Sequence, residues 1–294
     1  MMSSQNPLVR QVDQNVVTQL LDEVEGLVSP PDVCLRLFEL IHAPNTSVKQ
    51  IADVVAVDPN LTLRLLRIAN SSFYNFSKKI DTVSRAITII GVTELYQLVL
   101  SISAVKSFTN IPTELVKMDT FWQHSIYTGL LARALAVRAS VLHPERLFVA
   151  GLLHDIGSLV LYNQRPGEMR DILLTAEGDE ELLYQAEMEQ FGFTHASVAD
   201  SLLEKWMLPE ELQQAVCWHH QPDMATTARF EAHILCLASL LVNESEQGNF
   251  MGVARTDIQL PRDSMSVVGL NEDELYFAFE DAAEQYPAMI KSLF

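Results

Sequence analysis

The stretch GLLHDIG, residues 151–157, sets His154 beside Asp155 in a run of small and apolar residues. An adjacent imidazole and carboxylate can hold a divalent ion, share a proton, or form a polar knot in a helical core. The chain has eight histidines, and their spacing bears on this choice. His124 begins a stripe with Tyr127, Leu131 and Leu135, and His154 ends one through Leu147 and Ala150–Gly151. His195 heads a stripe with Ala199, Leu202 and Trp206, while His219 and His220 finish one from Leu212 and Val216. Intervals of three and four put each imidazole at one end of a core-facing helical stripe. His42, at a helix end, His143, before Pro144, and His233, early in a late helix, are expected in surface or capping roles.

A lone inward histidine is ordinarily a core residue with one hydrogen bond. Several imidazoles from four helices, joined by Asp155, would each need a donor or acceptor if buried. A divalent cation satisfies them together through neutral ring nitrogens and a carboxylate, and the two oxygens of Asp155 could reach different ions. Spacing leaves a metal site and a hydrogen-bonded polar core both open.

The elements that would position these residues are helices. Apolar residues recur at helical intervals almost throughout, and no segment alternates convincingly as a strand. Pro31–Asp32 open a helix that stops before Pro44, Thr46 or Ser47 caps SVKQIADVVAV, and Asp58–Pro59 starts NLTLRLLRIAN. TVSRAITII and TELYQLVLSISAVKSF follow, parted by Gly91, and complete a small bundle ending near Phe108. TNIPTELVKM connects to a second half with a long helix, DTFWQHSIYTGLLARALAVRAS, and then PERLFVAGLLHDIGSLVL, which reads as one buried helix. Pro166–Gly167 turns the chain, Thr194 caps THASVADSLLEKWM, and PEELQQAVCWHH precedes ARFEAHILCLASLLVNES. Residues 248–268 read as a loop, and Asn271–Tyr286 as a last acidic amphipathic helix that covers the second half or mediates self-association.

Composition bounds the function. Forty-eight per cent of the 294 residues are hydrophobic, enough for a packed core, and the formal charge of −18 argues against general nucleic-acid binding. Cys34, Cys217 and Cys236 have no CxxC spacing, so free buried thiols are expected. With no apolar run after a basic start and no stretch of about 20 apolar residues, a soluble, cytoplasmic protein is expected, without membrane association.

The residues LVSPPDVCLRLFEL, IADVVAVDPNLTLRLLRIANSSFY and IDTVSRAITIIGVTELYQLVL resemble the N-terminal part of HDOD proteins. FWQHS, FVAGLLHDIGSLVL, FGFTHASVADSLLEKWMLP and CWHHQP resemble the rest of that domain, between Gly26 and about Pro222. HDOD proteins are a bacterial signalling branch of the HD metal-dependent phosphohydrolases, and DPNLTLRLLRIANSSFY is the segment that bare HD enzymes lack. The resemblance implies an all-α fold, with a small N-terminal helical bundle packed on an HD-like bundle. It implies an extension over 1–25, an HDOD domain over 26–225 divided at 112/113, and C-terminal helices over 226–294 that complete the second half. It also implies metal ligands at His124, His154, Asp155, His195, His219 and His220, with His154 and Asp155 catalytic if the chain is active.

Three departures weigh against turnover. The closing Asp of an HD site would fall where Ala238–Ser239 stand, and a serine is a poor ligand for a hard divalent ion. Ser158 replaces the Lys of the cyclic-di-GMP-cleaving HD-GYP type, and QPDMATTARF after the His pair contains neither a GYP-like loop nor the following Glu. The expectation is a regulatory module with a degenerate metal pocket, binding a signalling protein or a small anionic ligand. The alternative is a metal-dependent phosphohydrolase acting on a nucleotide or phosphoester through metal-activated water. The cofactor expected is Fe, Mn, Zn or Ni, an empty pocket being the alternative. For the N-terminal marker, Arg64 and Arg67 are expected on a solvated face, Asn70 as a cap or a tie between the halves, and Phe73, Tyr74 and Phe76 as packing.

Overall fold

The computed structural model describes residues 14–24, 29–74, 76–108, 111, 115–245 and 261–294. Among them every regular element is a helix. Helix α1 (Gln14–Asp22) precedes an N-terminal bundle of α2 (Asp32–His42), α3 (Val48–Ala56), α4 (Pro59–Ala69), α5 (Val83–Ile90) and α6 (Val92–Ser107). Its starts are written in local chemistry. Ser47 forms a capping box with Gln50, the Asp58 carboxylate accepts from the Asn60 and Leu61 amides ahead of Pro59, and Thr82 caps α5. Gly91, at φ 103°, makes the turn into α6 that an L side chain would strain.

The second half is built on α7 (Met118–Arg138), which packs against α8 (Glu145–Leu153), α14 (Arg229–Asn243) and α16 (Glu272–Leu293). Between these come α9 (Ile156–Gln164), α10 (Pro166–Ala176), α11 (Glu180–Phe191), α12 (His195–Lys205) and α13 (Glu210–Cys217), and α15 (Arg262–Val268) follows α14. The bundles share one core. Phe73 is buried edge-on against Phe148 at 4.9 Å, the Arg133 guanidinium lies 4.2 Å over its ring, and the Tyr96 hydroxyl donates to the Trp206 carbonyl at 3.0 Å.

Several elements depart from the sequence reading. PERLFVAGLLHDIGSLVL is two helices, because the chain turns at His154–Asp155 where Asp155 takes φ −99° and ψ 9°. Residues 262–268, expected as loop, form α15, while 248–260 lie outside the described residues. The last helix runs through Pro287 to Leu293, held against α7 by Tyr127, which packs on Phe279 and Tyr286. It therefore covers the second half. Helix α1, which carries no expectation beyond an N-terminal extension, packs on α12.

Arg64 is not simply solvated: its guanidinium donates to the carbonyls of Leu293 and Phe294, joining α4 to the chain's last turn. Arg67 is exposed. Asn70 ties the end of α4 to the returning loop rather than to the second half, donating to the Leu66 and Ile80 carbonyls and accepting from the Ile80 amide. No single helix among the described residues is long and apolar enough to cross a membrane.

Candidate metal centre

Close backbone approach brings the polar residues together. A Cβ on Gly151 would lie 2.5 Å from the Gly129 Cα, so α7 and α8 cross at a glycine pair and bring His124 to His154. A Cβ on Gly157 would lie 2.0 Å from the His195 carbonyl oxygen and 2.7 Å from the Ala199 amide. Only glycine at the start of α9 therefore lets α12 come close enough to deliver His195 to Asp155. The capping box of Thr194 and Ser197 makes His195 the first residue of α12.

The six sequence-predicted residues converge in two clusters. His124, His154 and Asp155 form one, and His195, His219 and His220 the other. Asp155 stands between them, with Oδ2 3.6 Å from His124 Nε2 and 3.2 Å from His154 Nε2. Its Oδ1 lies 3.5 Å from His195 Nε2 and 3.9 Å from His219 Nε2. An aspartate preceding a helix usually accepts from that helix's first amides. Asp155 makes no such bond, and its carboxylate is committed to the histidines.

Hydrogen bonds on the far side of the rings orient them. His154 Nδ1 donates to the Gly151 carbonyl at 2.8 Å and His219 Nδ1 to the Val216 carbonyl at 2.7 Å. A carbonyl only accepts, so each Nδ1 carries a proton, and in the neutral ring the Nε2 lone pair faces the cluster. Glu187, fully buried, accepts through Oε2 from the His195 amide at 2.8 Å and from its Nδ1 at 2.7 Å. His124 Nε2 then meets His154 Nε2 at 3.3 Å, and His195 Nε2 meets His220 Nε2 at 3.1 Å. Such contacts need a proton or a cation between them. His219 Nε2 is buried without a hydrogen-bond partner.

Electrostatics separate the rings. Burial pushes His219 down to about 3 and His220 well below the usual imidazole value, so both are neutral near pH 7. Burial also works against charge on His195, but Glu187 outweighs it and holds the ring at about 9. His154 is raised as well, burial being outweighed by Asp155. Asp155 itself is disfavoured by burial, yet His154, His195 and His124 hold its carboxyl well below the carboxylate range. The donor set, imidazoles with one divided carboxylate, is compatible with divalent metal.

Three further residues complete the picture. His233, expected at the surface, is buried: Nδ1 lies 2.9 Å from the Ser264 hydroxyl and Nε2 3.3 Å from Asp223. It belongs to the packing of α15 on α14. Glu187 and Glu180 were invisible in the sequence, because both stand on an acidic helix whose solvated and inward carboxylates look alike. The only signal for Glu187 is its place just before the Phe191–Gly192 turn that folds α11 back onto α12. His42 bonds to the Phe38 carbonyl at 2.9 Å near the surface, and His143 lies 3.8 Å from Glu94.

Beside the second cluster lies a cavity of about 150 Å³, bordered by His219, His220, Ser239, Asn243 and the acidic residues Asp179, Glu180, Glu181 and Glu244. Among the described residues, no Lys or Arg borders it.

An all-α domain carrying two histidine clusters around one aspartate is the class that this fold and site define. The chain belongs to the HDOD family, whose domain profile matches residues 27–222. Its fold is that of an HDOD domain protein of unknown function from Geobacter sulfurreducens (TM-score 0.71, 23% identity, covering 95% of this chain and 97% of that one). It is equally that of a Shewanella amazonensis SB2B protein named "Putative phosphohydrolase" (TM-score 0.70, 22% identity, 95% and 98% covered). A Marinobacter aquaeolei VT8 protein named "Putative signal transduction protein" aligns at TM-score 0.65 and 20% identity, over 98% of this chain and 67% of that one. An uncharacterized Treponema pallidum protein is 23% identical over 210 residues, 70% of this chain but 40% of that longer one.

Proposed function

We propose that this chain is a signal-transduction HDOD module whose histidine–aspartate pocket holds divalent transition metal and which acts by binding a partner rather than by turning over a substrate. The observation that supports the metal is the division of Asp155, whose two oxygens face separate histidine clusters, Oδ2 toward His124 and His154 and Oδ1 toward His195 and His219. His124, His154 and Asp155 would hold one ion, and His195, His219 and His220, with the other Asp155 oxygen, a second. Fe, Mn, Zn and Ni suit imidazoles with a carboxylate.

Three features favour binding over hydrolysis. Ser239 is buried where an HD enzyme would offer a carboxylate. The cavity of about 150 Å³ is smaller than the ~300 Å³ or more of a drug-sized ligand pocket, so it would not enclose a whole nucleotide. Among the described residues, four carboxylates border it with no cationic side chain, so an anionic ligand would depend on the metals for its charge complement. A protein partner in the bacterial cytoplasm is the output that remains.

The second reading is a phosphohydrolase, favoured by the same bridging geometry. A bound ion of this kind supplies an acidified water and polarises a phosphoryl oxygen. The chain's own part would be to place Asp155 between the clusters and, through Glu187, to keep the His195 proton on Nδ1 so that Nε2 stays available. Elemental analysis of the purified chain is the deciding measurement, with phosphoester and nucleotide hydrolysis assayed in Mn²⁺. Bound metal lost in His154→Ala without turnover supports the module. Turnover abolished by Asp155→Ala would sink it in favour of the enzyme, and a chain without metal would sink the metal reading altogether.

A further inference from the structure

Helix α14 carries Ser239 facing inward, and nothing on that helix replaces the missing carboxylate. One arrives from the opposite wall. The chain leaves α10 through two left-handed residues, Glu177 (φ 49°) and Gly178 (φ 83°), and Asp179 caps α11 by accepting from the Leu182 amide at 3.1 Å. This tight turn sets Glu180, the first residue of α11, against α14. Ser239 Oγ donates to Glu180 Oε2 at 3.1 Å, and Asn243, one turn further along α14, lies 3.4 Å from Ser239 Oγ.

Glu180 borders the cavity together with His219 and His220. Its side chain is half-buried there, turned toward Ser239 on the facing helix. Among the described residues, four carboxylates border this cavity beside the two histidines with no Lys or Arg, an arrangement that a bound cation would balance. Aspartate at 239 would occupy the space into which Glu180 reaches, whereas the short serine leaves it open and offers a hydroxyl that steadies the newcomer. His219 Nε2, buried at the same cavity and without a hydrogen-bond partner among the described residues, is the donor already assigned above that Glu180 would join.

We infer that Glu180 is a metal ligand of this chain, contributed from α11 in place of the carboxylate that Ser239 cannot provide, with Ser239 and Asn243 as its positioning residues. The inference rests on the metal reading above and changes its consequence: the pocket is re-furnished rather than degenerate.

The test is Mn²⁺ and Zn²⁺ binding to the full-length chain, measured by chelator competition and by elemental analysis after gel filtration. Glu180→Gln keeps the shape and the Ser239 contact while removing the charge, and is expected to weaken metal binding by about 10–100-fold, as loss of groups supporting a metal site does. The compensating pair Glu180→Ala/Ser239→Asp is expected to recover most of that loss, which a merely structural role for Glu180 would not produce. Circular dichroism melts in excess chelator check that each variant folds. Wild-type affinity in Glu180→Gln, or no recovery in the folded double variant, overturns this inference and leaves the metal reading standing. A wild-type chain that binds neither ion overturns both.

Discussion

Replacing Gly157 by alanine tests whether the approach of α9 to α12 assembles the site. The added Cβ would stand 2.0 Å from the His195 carbonyl oxygen, and real Cβ contacts essentially never fall below 3.0 Å. The obstructing atoms are backbone, so no side-chain rotation relieves the clash, and the helices must part by about 1 Å. Overpacking of this kind costs about 1–3 kcal/mol, and the better helix propensity of alanine returns about 1 kcal/mol. The expected net loss is up to about 2 kcal/mol, a fall of up to about 8 °C in Tm. The larger consequence is local. His195 Nε2 sits 3.5 Å from Asp155 Oδ1, and a displacement of about 1 Å at the first residue of α12 takes it out of ligating range. Thermal melts in chelator, followed by elemental analysis, should show a modest loss of stability and loss of the metal held by the His195 cluster, with that of the His124 cluster retained. Gly167→Ala is the control: it lies in α10 with nothing within 4 Å of its would-be Cβ, and should gain up to about 1 kcal/mol. A Gly157→Ala chain that melts at the wild-type temperature with its full metal complement would refute the packing argument.

Other perturbations follow from groups away from the metal pocket. Burial pushes Asp200 up to about 6, against a lowering hydrogen bond from Cys217 and with a further push from Glu204. An acid whose folded pKa exceeds its unfolded value of about 3.9 weakens the fold as pH rises from about 4 to 6, and fully above that. Asp200→Asn should therefore stabilise the chain by about 1–2 kcal/mol at pH 7 and hardly at all at pH 4, as urea unfolding at both values would show. Tyr96→Phe strands the Trp206 carbonyl between the two bundles and should cost about 1 kcal/mol in the same assay. Phe73→Ala empties the aromatic contact between the bundles and should cost about 3–5 kcal/mol, read as a large drop in Tm.

The all-α fold and the convergence of His124, His154, Asp155, His195, His219 and His220 were legible because apolar spacing fixes which face of a helix turns inward. The histidines ended those inward stripes. The break at His154–Asp155 was not legible, since every residue around it is compatible with continuing a buried helix and only the approach of α12 demands the turn. His233 was misjudged because the Ser264 hydroxyl that meets its ring comes from α15, inside the segment that reads as loop. Glu180 and Glu187 were hidden for a related reason. An acidic helix looks solvated until its neighbours are known: α12 brings His195 to Glu187, and α14 brings Ser239 to Glu180.

The packing of α1 on α12 has a consequence for how the chain is made. Val17, Leu20 and Leu21 are buried, and Asp22 meets Lys205 at 3.4 Å, in contacts separated by roughly 180 residues of sequence. At a synthesis rate of about 5–20 residues per second, the apolar face of α1 leaves the ribosome about 10–40 s before the helix that covers it. During that interval it is an uncovered amphipathic helix, open to chaperones or to another copy of itself.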